Sequence, residues 1–216
     1  MKILIVAATE MEIGIFSQYV TEEGNAPNHE VSILITGVGS IATTYAVTKA
    51  LLTNKYDFVL QAGVGGSFDR DIALGELVFI TSEQYGDLGA EDHDNYIDIF
   101  EMGLIPADTH PYTCGQLLTP RHIIQDKIQL RKAKGLTINL VSGNERTIAH
   151  RSITYNCQVE SMEGAAFHYA CLQLGVPFAQ VRAVSNYVIP RDKSQWQMKD
   201  AIINLNKWLA GFVAGL

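Results

Sequence analysis

The sequence predicts a single α/β domain with three layers, in which a mostly parallel or mixed sheet lies between helices. Short β-branched runs alternate with longer segments of helical period, an order typical of a sheet whose strands are connected by helices. Of the 216 residues, 47% are hydrophobic and 18% are charged, so disordered and coiled-coil classes are excluded. No linker-like or repeated segment interrupts the chain, and we therefore expect residues 1–216 to form one domain.

Five short runs predict strands of this sheet. The first, Lys2–Ala7, is apolar on both faces, as expected where helices cover both sides of a sheet. The others are rich in Val, Ile, Leu or Phe and are bounded by polar residues or glycine. In chain order the predicted strands are Lys2–Ala7, Glu30–Thr36, Asp57–Ala62, Gly75–Thr81 and Pro177–Val184.

Four segments have the period of a helix. Ser40 begins one of them and is interpreted as its N-cap, because a serine hydroxyl can accept a hydrogen bond from the first free amides. The predicted helices are Met11–Val20, Ser40–Asn54, Glu163–Leu174 and Met198–Val213.

The segment Gln84–Tyr112 fits neither period, because it is polar and contains several Gly and Pro residues. A long irregular stretch of this kind either covers a site or a neighbouring subunit, or is an ordinary surface excursion. Its acidic cluster consists of Glu91, Asp92, Asp94 and Asp98, with His93 among them. The cluster lacks the spacing of a calcium loop, and we interpret it as a solvated loop rather than a metal site.

Charge and cysteine content argue against several classes of protein. Lys and Arg number 16 against 23 Asp and Glu, and the densest basic stretch, Lys127–Lys134, is interpreted as a solvated helix face, so no nucleic-acid partner is expected. The 3 cysteines form no metal or redox spacing, which favours a reducing, cytoplasmic setting. No apolar run reaches about 18 residues, so no membrane span is expected. The N-terminal apolar run is too short for a signal peptide.

Polar residues and glycines follow several of the predicted strands. Glu12 comes after the first strand, Gly63–Gly66 after the third, and the pair Ser185 and Asn186 after the last. In parallel sheets the carboxyl ends of the strands meet at one crevice, where ligands bind. We therefore expect a carboxylate, a glycine turn and a Ser-Asn pair to face the same crevice.

A second glycine turn, Gly37–Ala42, has the G-x-G-x-x-A spacing of a dinucleotide site. Gln61 stands where an acidic residue should meet the ribose of the cofactor, which argues against NAD. A structural tight turn and a close approach of the backbone to another ligand both remain open.

Glu163 and Arg182 each allow two interpretations. Glu163 lies at a strand-to-helix junction, where it either complements the helix dipole or acts on a substrate. Arg182 lies inside an apolar strand, and a buried cation needs a carboxylate partner or a substrate anion.

Four motifs, in order along the whole chain, resemble those of the nucleoside phosphorylase/nucleosidase superfamily. The first is the strand and acidic turn at residues 1–12, and the second is the glycine-rich run Gln61–Gly66. The third is Val159–Ala166, similar to V-E-x-M-E-x-A-A, and the fourth is Val181–Asn186, similar to V-R-x-x-S-[DN]. The resemblance implies a nucleoside phosphorylase-like fold, a purine nucleoside as the small-molecule substrate, and neither cofactor nor metal.

The resemblance also implies roles by position. Glu12 corresponds to the base that activates the attacking water, and Asn186 faces the N7 edge of the purine. Met162 and Glu163 bind the ribose, and Arg182 and Ser185 support Asn186. The remaining substrate-binding positions belong to the glycine-rich loop and are Gly63, Val64 and Gly65.

Two features of the chain bear on the substrate. Nucleosidases of methylthioadenosine carry Ser-Asp where this chain has Ser185 and Asn186, and an amide with one donor and one acceptor suits a 6-oxopurine. Residues 1–69 contain no Arg, which disfavours a phosphate cradle and favours water as the nucleophile.

Both features resemble the futalosine hydrolases, which implies hydrolysis of futalosine to hypoxanthine and dehypoxanthinylfutalosine for menaquinone biosynthesis. The benzoate of futalosine would need a cation and an apolar wall, for which Arg191, Arg146 and Trp196 are candidates. Methylthioadenosine/adenosylhomocysteine nucleosidase, purine nucleoside phosphorylase and a non-catalytic nucleoside sensor remain alternatives. The resemblance further implies a homo-oligomer, and Gln84–Tyr112 is the segment expected to complete a neighbouring site.

Overall fold

A mixed sheet lies between two layers of helices in the computed structural model, which describes residues 1–23, 29–93 and 95–216. The strands are β1 (Lys2–Ala7), β2 (Glu30–Ile35), β3 (Phe58–Ser67), β4 (Leu77–Tyr85), β5 (Gly89–Asp92), β6 (Asn95–Asp98), β7 (Leu117–Leu118), β8 (Arg131–Thr137), β9 (Val159–Ser161) and β10 (Phe178–Tyr187). The helices are α1 (Glu10–Glu23), α2 (Ser40–Thr53), α3 (Glu145–Tyr155), α4 (Gly164–Gln173) and α5 (Met198–Ala214). The α/β class with a mixed central sheet is confirmed.

The pairing of the strands closes on itself. β2, β1, β3 and β10 are parallel neighbours, and β10 then pairs antiparallel with β4. From β4 the sheet continues in parallel through β8 to β9, and β9 returns antiparallel to the last residues of β3. This circuit depends on the length of β3, whose first half pairs with β1 and whose end pairs with β9.

Two apolar clusters hold the helices against opposite faces of the sheet. Ile3 and Ile5 of β1 pack with α1 and α5, whereas Leu4 and Val6 of the same strand pack with α2 and α4. Successive side chains of a strand point to opposite faces, so an apolar strand such as β1 buries both sides. The three-layer arrangement follows from this alternation.

Several boundaries differ from the sequence prediction. β3 and β10 run beyond their apolar stretches to Ser67 and Tyr187, because backbone pairing continues through the glycines and the Ser-Asn pair. The prediction of Ser40 as an N-cap was wrong, since Ser40 is the first helical residue and Gly39, at φ 91°, holds the cap position. Helix α3 was not predicted.

The prediction of a solvated helix face at Lys127–Lys134 was also wrong. A short 3₁₀ turn, Ile123–Lys127, is followed by strand β8, whose buried residues Ala133 and Gly135 alternate with more exposed lysines. The segment Gln84–Tyr112 contains the β5–β6 hairpin and turns, and its Asp94 lies outside the described residues. Among the residues that are described, no helix has the length and apolar character needed to cross a membrane.

Candidate active site

A cavity of about 250 Å³ opens at the carboxyl ends of the parallel strands β1, β3 and β10. This position agrees with the crevice expected from the sequence. The predicted site residues that line it are Glu12, Val64, Gly65, Met162, Glu163, Ser185 and Asn186. Gly63 and Arg182 lie behind this lining rather than in it.

Glu12 is held in place by hydrogen bonds to both carboxylate oxygens. Oε2 accepts from the Thr9 backbone N at 2.9 Å and from Thr9 Oγ1 at 3.1 Å, and Oε1 accepts from Val64 N at 3.1 Å. The side chain is only 6% exposed, yet it lines the cavity. A carboxylate with about four lone-pair sites still has acceptor capacity left for a water proton in this arrangement.

Asn206 of α5 fixes the helix that carries Glu12. Its Nδ2 donates to the Glu12 carbonyl oxygen at 2.8 Å, and its Oδ1 accepts from Phe16 N at 2.8 Å. Asn206 is 2% exposed, so these bonds form away from water. The first turn of α1 is therefore anchored to a residue 194 positions away in the chain.

Glu163 turns its side chain away from the helix that it begins. It is the N-cap residue of α4 but makes no side-chain cap bond. Its Oε1 accepts from Gly39 N at 3.0 Å, and its Oε2 lies 3.4 Å from Arg182 Nη1. The glycine turn at Gly37–Ala42 thus brings a backbone amide to a carboxylate of the site.

Arg182 forms the buried ion pair that was one of its two interpretations. The residue is 1% exposed, and its Nη1 also donates to the Val64 carbonyl oxygen at 3.2 Å. The resemblance placed Arg182 in support of Asn186, but these contacts place it in support of Glu163. A Cβ at Gly63 would lie 2.7 Å from Arg182 Nη1 and 2.8 Å from Glu12 Oε1, so only glycine allows both groups this close.

Asn186 is directed into the cavity by an irregularity in β10. The pairing with β3 shifts register between Val184 and Asn186, and such bulges re-aim side chains. Asn186 Oδ1 accepts from Ser185 Oγ at 2.8 Å, and Nδ2 donates to the Tyr187 carbonyl oxygen at 3.0 Å. One amide hydrogen and one oxygen lone pair remain for a ligand.

The sequence analysis missed a group of three contacting residues, Glu160, Ser142 and Arg151. Glu160 lines the cavity and is 5% exposed, with Oε1 accepting from Ser142 N at 3.1 Å and Oε2 accepting from the Ser142 hydroxyl. Arg151 Nη1 lies 3.5 Å from the same carboxylate. Burial raises the pKa of Glu160, against the effect of these hydrogen bonds. The signal that could have identified Glu160 was its position as a second acidic residue in the same motif as Glu163.

The three residues predicted to bind a 5′ substituent of the substrate do not lie together in the structure. Trp196 lines the cavity, and the Arg191 guanidinium lies 5.8 Å from its ring centre in an adjoining recess next to Asn186. Arg146 lies elsewhere, in a cleft of about 480 Å³ with Asp87 and His150. Across the described ranges, no group of three or more His, Cys, Asp or Glu side chains is arranged to hold a metal ion.

Comparisons with known proteins relate this chain to a family. Residues 3–214 match the Phosphorylase superfamily. The chain is 31% identical over 177 residues to a futalosine hydrolase of Thermus thermophilus, covering 78% of this chain and 75% of that protein.

Methylthioadenosine nucleosidases are similar as well. The chain is 25% identical over 202 residues to the 5′-methylthioadenosine/S-adenosylhomocysteine nucleosidase of Glaesserella parasuis, covering 86% of each. The crystal structure of the nucleosidase of the same type from Colwellia psychrerythraea, in complex with adenine, has a TM-score of 0.82 at 20% identity, over 100% of this chain and 96% of that one.

Proposed function

The chain belongs to the phosphorylase superfamily, and we propose that it is a nucleosidase that hydrolyses the N-glycosidic bond of futalosine. The observation that carries this proposal is the placement of Glu12, Glu163 and Asn186 around one cavity at the strand ends. These residues supply a base, a sugar ligand and a purine ligand, which are the three groups that the reaction needs. No cofactor is required by this chemistry.

Glu12 is assigned to the attacking water. Cleavage of a glycosidic bond passes through an oxocarbenium-like sugar, and a carboxylate on the face opposite the leaving group takes a proton from the water. The hydrogen bonds from Thr9 and Val64 hold Glu12 in one orientation, which keeps the proton acceptor aimed at the cavity.

Glu163 is assigned to a ribose hydroxyl. Positive charge develops on the sugar as the bond breaks, and a carboxylate at the hydroxyl stabilises that charge more than it stabilises the ground state. The Arg182 contact at 3.4 Å fixes the carboxylate, and Met162 supplies an apolar surface beside it.

Asn186 is assigned to the purine. A 6-oxopurine offers an acceptor at O6 and gains a proton at N7 as it leaves, so it pairs with both the donor and the acceptor of an amide. An adenine that gains a proton at N7 presents donors at both N6 and N7, which leaves the amide N–H without an acceptor. This supports hypoxanthine as the leaving base, and the similarity to a futalosine hydrolase supports futalosine as the nucleoside that carries it.

Water as the nucleophile is supported by the charges around the cavity. None of the described residues in its lining is Lys or Arg, whereas Glu12, Glu160 and Glu163 are all acidic. A phosphate anion would meet repulsion at this surface. This favours a hydrolase over a purine nucleoside phosphorylase.

A methylthioadenosine/adenosylhomocysteine nucleosidase is the second candidate, favoured by a similarity that covers 86% of the chain. Release of purine from futalosine, inosine and methylthioadenosine, each with and without phosphate, separates the candidates. Phosphate-independent release of hypoxanthine from futalosine is the expected result. Adenine release from methylthioadenosine would favour the second candidate, and phosphate-dependent cleavage of inosine would indicate a phosphorylase.

A homo-oligomer in the cytoplasm is part of the same proposal. Met11 of α1 and Val38, just before α2, line the cavity and are 66% and 57% exposed, and Ile41 in the first turn of α2 is 88% exposed. Large exposed apolar side chains of this kind support contact with a second copy. Sedimentation equilibrium tests it, and a monomer at micromolar concentration would contradict it.

A further inference from the structure

A fourth carboxylate, that of Glu83 on β4, is buried close to the Glu163–Arg182 pair. Glu83 is 1% exposed and does not line the cavity. Its Oε2 accepts from Thr137 Oγ1 at 2.9 Å, and its Oε1 accepts from Gln180 Nε2 at 2.9 Å. A buried carboxylate with a hydrogen bond at each oxygen is held in one position.

Two glycines lie in close contact with this carboxylate. A Cβ at Gly135 of β8 or at Gly164 of α4 would overlap Glu83 Oε1. Gly164 is the first residue of α4 and directly follows Glu163. The backbone that carries the proposed sugar ligand therefore rests on the Glu83 side chain.

Thr137 extends the contact to the next residue of the helix. Its hydroxyl donates to Glu83 and accepts from Ala165 N at 2.7 Å. Because the hydroxyl has one proton, the bond to Glu83 leaves its lone pairs facing Ala165. Glu83 thereby holds the first turn of α4 through two neighbouring residues, Gly164 and Ala165.

Gln180 stands near Arg182 on the same strand. The two residues are two positions apart on β10, so their side chains share one face of the strand. Glu83 is thus connected through Thr137 and Gly164 to the helix turn that follows Glu163, and the Arg182 charge lies near it. Burial raises the pKa of Glu83 to about 7, while the nearby Arg182 charge opposes that rise.

We propose that Glu83 is a positioning residue, which sets the place of the Glu163 carboxylate at the ribose through Thr137 and Gly164. This rests on the proposed function, since it assigns Glu163 to a sugar hydroxyl. Glu83 itself touches neither the substrate nor the water.

The test compares Thr137→Val with Thr137→Ser, because valine keeps the shape of threonine and loses the hydroxyl, whereas serine keeps the hydroxyl. Glu83→Gln is the third variant, and it preserves hydrogen bonding if Gln180 reverses its amide, whose Oε1 has no partner among the described residues. Purine release is measured with a ribonucleoside and with its 2′-deoxy and 3′-deoxy analogues. Binding of free hypoxanthine is measured in parallel.

Wild type is expected to lose rate when the hydroxyl bound by Glu163 is absent. Thr137→Val should lower kcat/KM for the ribonucleoside by about tenfold or more, on the scale of a lost buried hydrogen bond. It should change the rate on the deoxy analogue and the affinity for hypoxanthine by no more than about twofold, which is within the scatter of surface substitutions. Thr137→Ser should retain the wild-type ratio, and Glu83→Gln should fall between the two.

An equal loss on all substrates, together with weaker hypoxanthine binding, would mean that Glu83 and Thr137 only maintain the fold, and would overturn the proposal. The proposal would also be overturned if Thr137→Val kept the wild-type ratio of kcat/KM between the ribonucleoside and its deoxy analogue. In both cases purine release by wild type leaves the proposed function standing. If wild type releases no purine from any nucleoside, the proposed function fails, and the role of Glu83 fails with it. Ile124→Ala, a core change in the 3₁₀ turn Ile123–Lys127, controls for lost stability alone.

Discussion

Arg182 and Glu163 form an ion pair that is almost completely removed from water. Arg182 Nη1 lies 3.4 Å from Glu163 Oε2, and the two side chains are 2% and 6% exposed. Loss of one partner of a buried pair leaves the other charge uncompensated, which costs about 3–5 kcal/mol.

Arg182→Met should therefore lower the free energy of unfolding by about 3–5 kcal/mol at pH 7. Urea unfolding measures this change, and Arg131→Met is the matched control. Arg131 pairs with Asp69 at 3.2 Å on the surface, where ion pairs contribute about 0–1 kcal/mol. Equal losses in the two variants would show that burial of the Arg182 pair has no energetic consequence.

Glu12→Gln should abolish most of the hydrolysis while leaving nucleoside binding intact. A positioned general base contributes about 10²–10⁴ to the rate, and glutamine cannot accept the proton. Single-turnover release of purine and calorimetric binding test the two halves of this prediction. The exposed neighbour Glu10 provides the control variant Glu10→Gln, which should retain wild-type activity. Binding by wild type without any purine release would instead favour a nucleoside sensor.

Asn186→Asp should weaken the release of 6-oxopurines relative to 6-aminopurines by about tenfold or more. An aspartate cannot donate to O6 when ionised, and an unpaired buried group costs about 1–3 kcal/mol. The ratio of kcat/KM for inosine-type and adenosine-type substrates measures the shift. An unchanged ratio would remove Asn186 from the determinants of base selection.

Gly63→Ala should lower both activity and stability, because its Cβ would collide with Arg182 Nη1 and Glu12 Oε1. Gly14→Ala is the matched control on the exposed side of α1. A Cβ there meets nothing within 4 Å, and alanine in a helix is favoured over glycine by about 1 kcal/mol. Thermal unfolding should thus shift in opposite directions in the two variants. A gain of stability in Gly63→Ala would contradict the close approach at that position.

The buried groups His168 and Glu83 should give opposite pH dependences of stability. Burial lowers the pKa of His168 to about 4, so between about pH 4 and 6.5 the unfolded chain binds the proton and stability rises with pH. Burial raises the pKa of Glu83 to about 7, so between about pH 4.5 and 7 the folded chain holds the proton and stability falls with rising pH.

The two slopes oppose each other in wild type between about pH 4.5 and 6.5. His168→Gln should make the free energy of unfolding fall more steeply with rising pH, and Glu83→Gln should make it rise. Urea titrations at several pH values measure both slopes. Parallel pH profiles for wild type and the two variants would show that neither group titrates as described.

Much of the secondary structure was predictable because it depends on local patterns. The run Lys2–Ala7 is a strand at the predicted bounds, and the predicted helix Met198–Val213 is longer by one residue. The basic stretch Lys127–Lys134 was wrongly predicted as a helix face, because its lysines alternate with buried small residues in strand β8. The periodicity of two residues there is short, and its buried positions Ala133 and Gly135 carry no large side chain.

The sequence by itself determined which polar residues follow the strands, and hence that Glu12 and Asn186 meet at one edge of the sheet. Only the tertiary structure decided that Arg182 pairs with Glu163, that the Gly39 amide donates to Glu163, and that Glu83 lies close to this ion pair. These contacts join residues as far as 124 positions apart, as with Gly39 and Glu163. Their existence depends on strand register, on the bulge in β10 and on the closure of the sheet. The physical reason is that local periodicity specifies which face of an element is buried, whereas the partner buried against it is chosen by packing between distant segments.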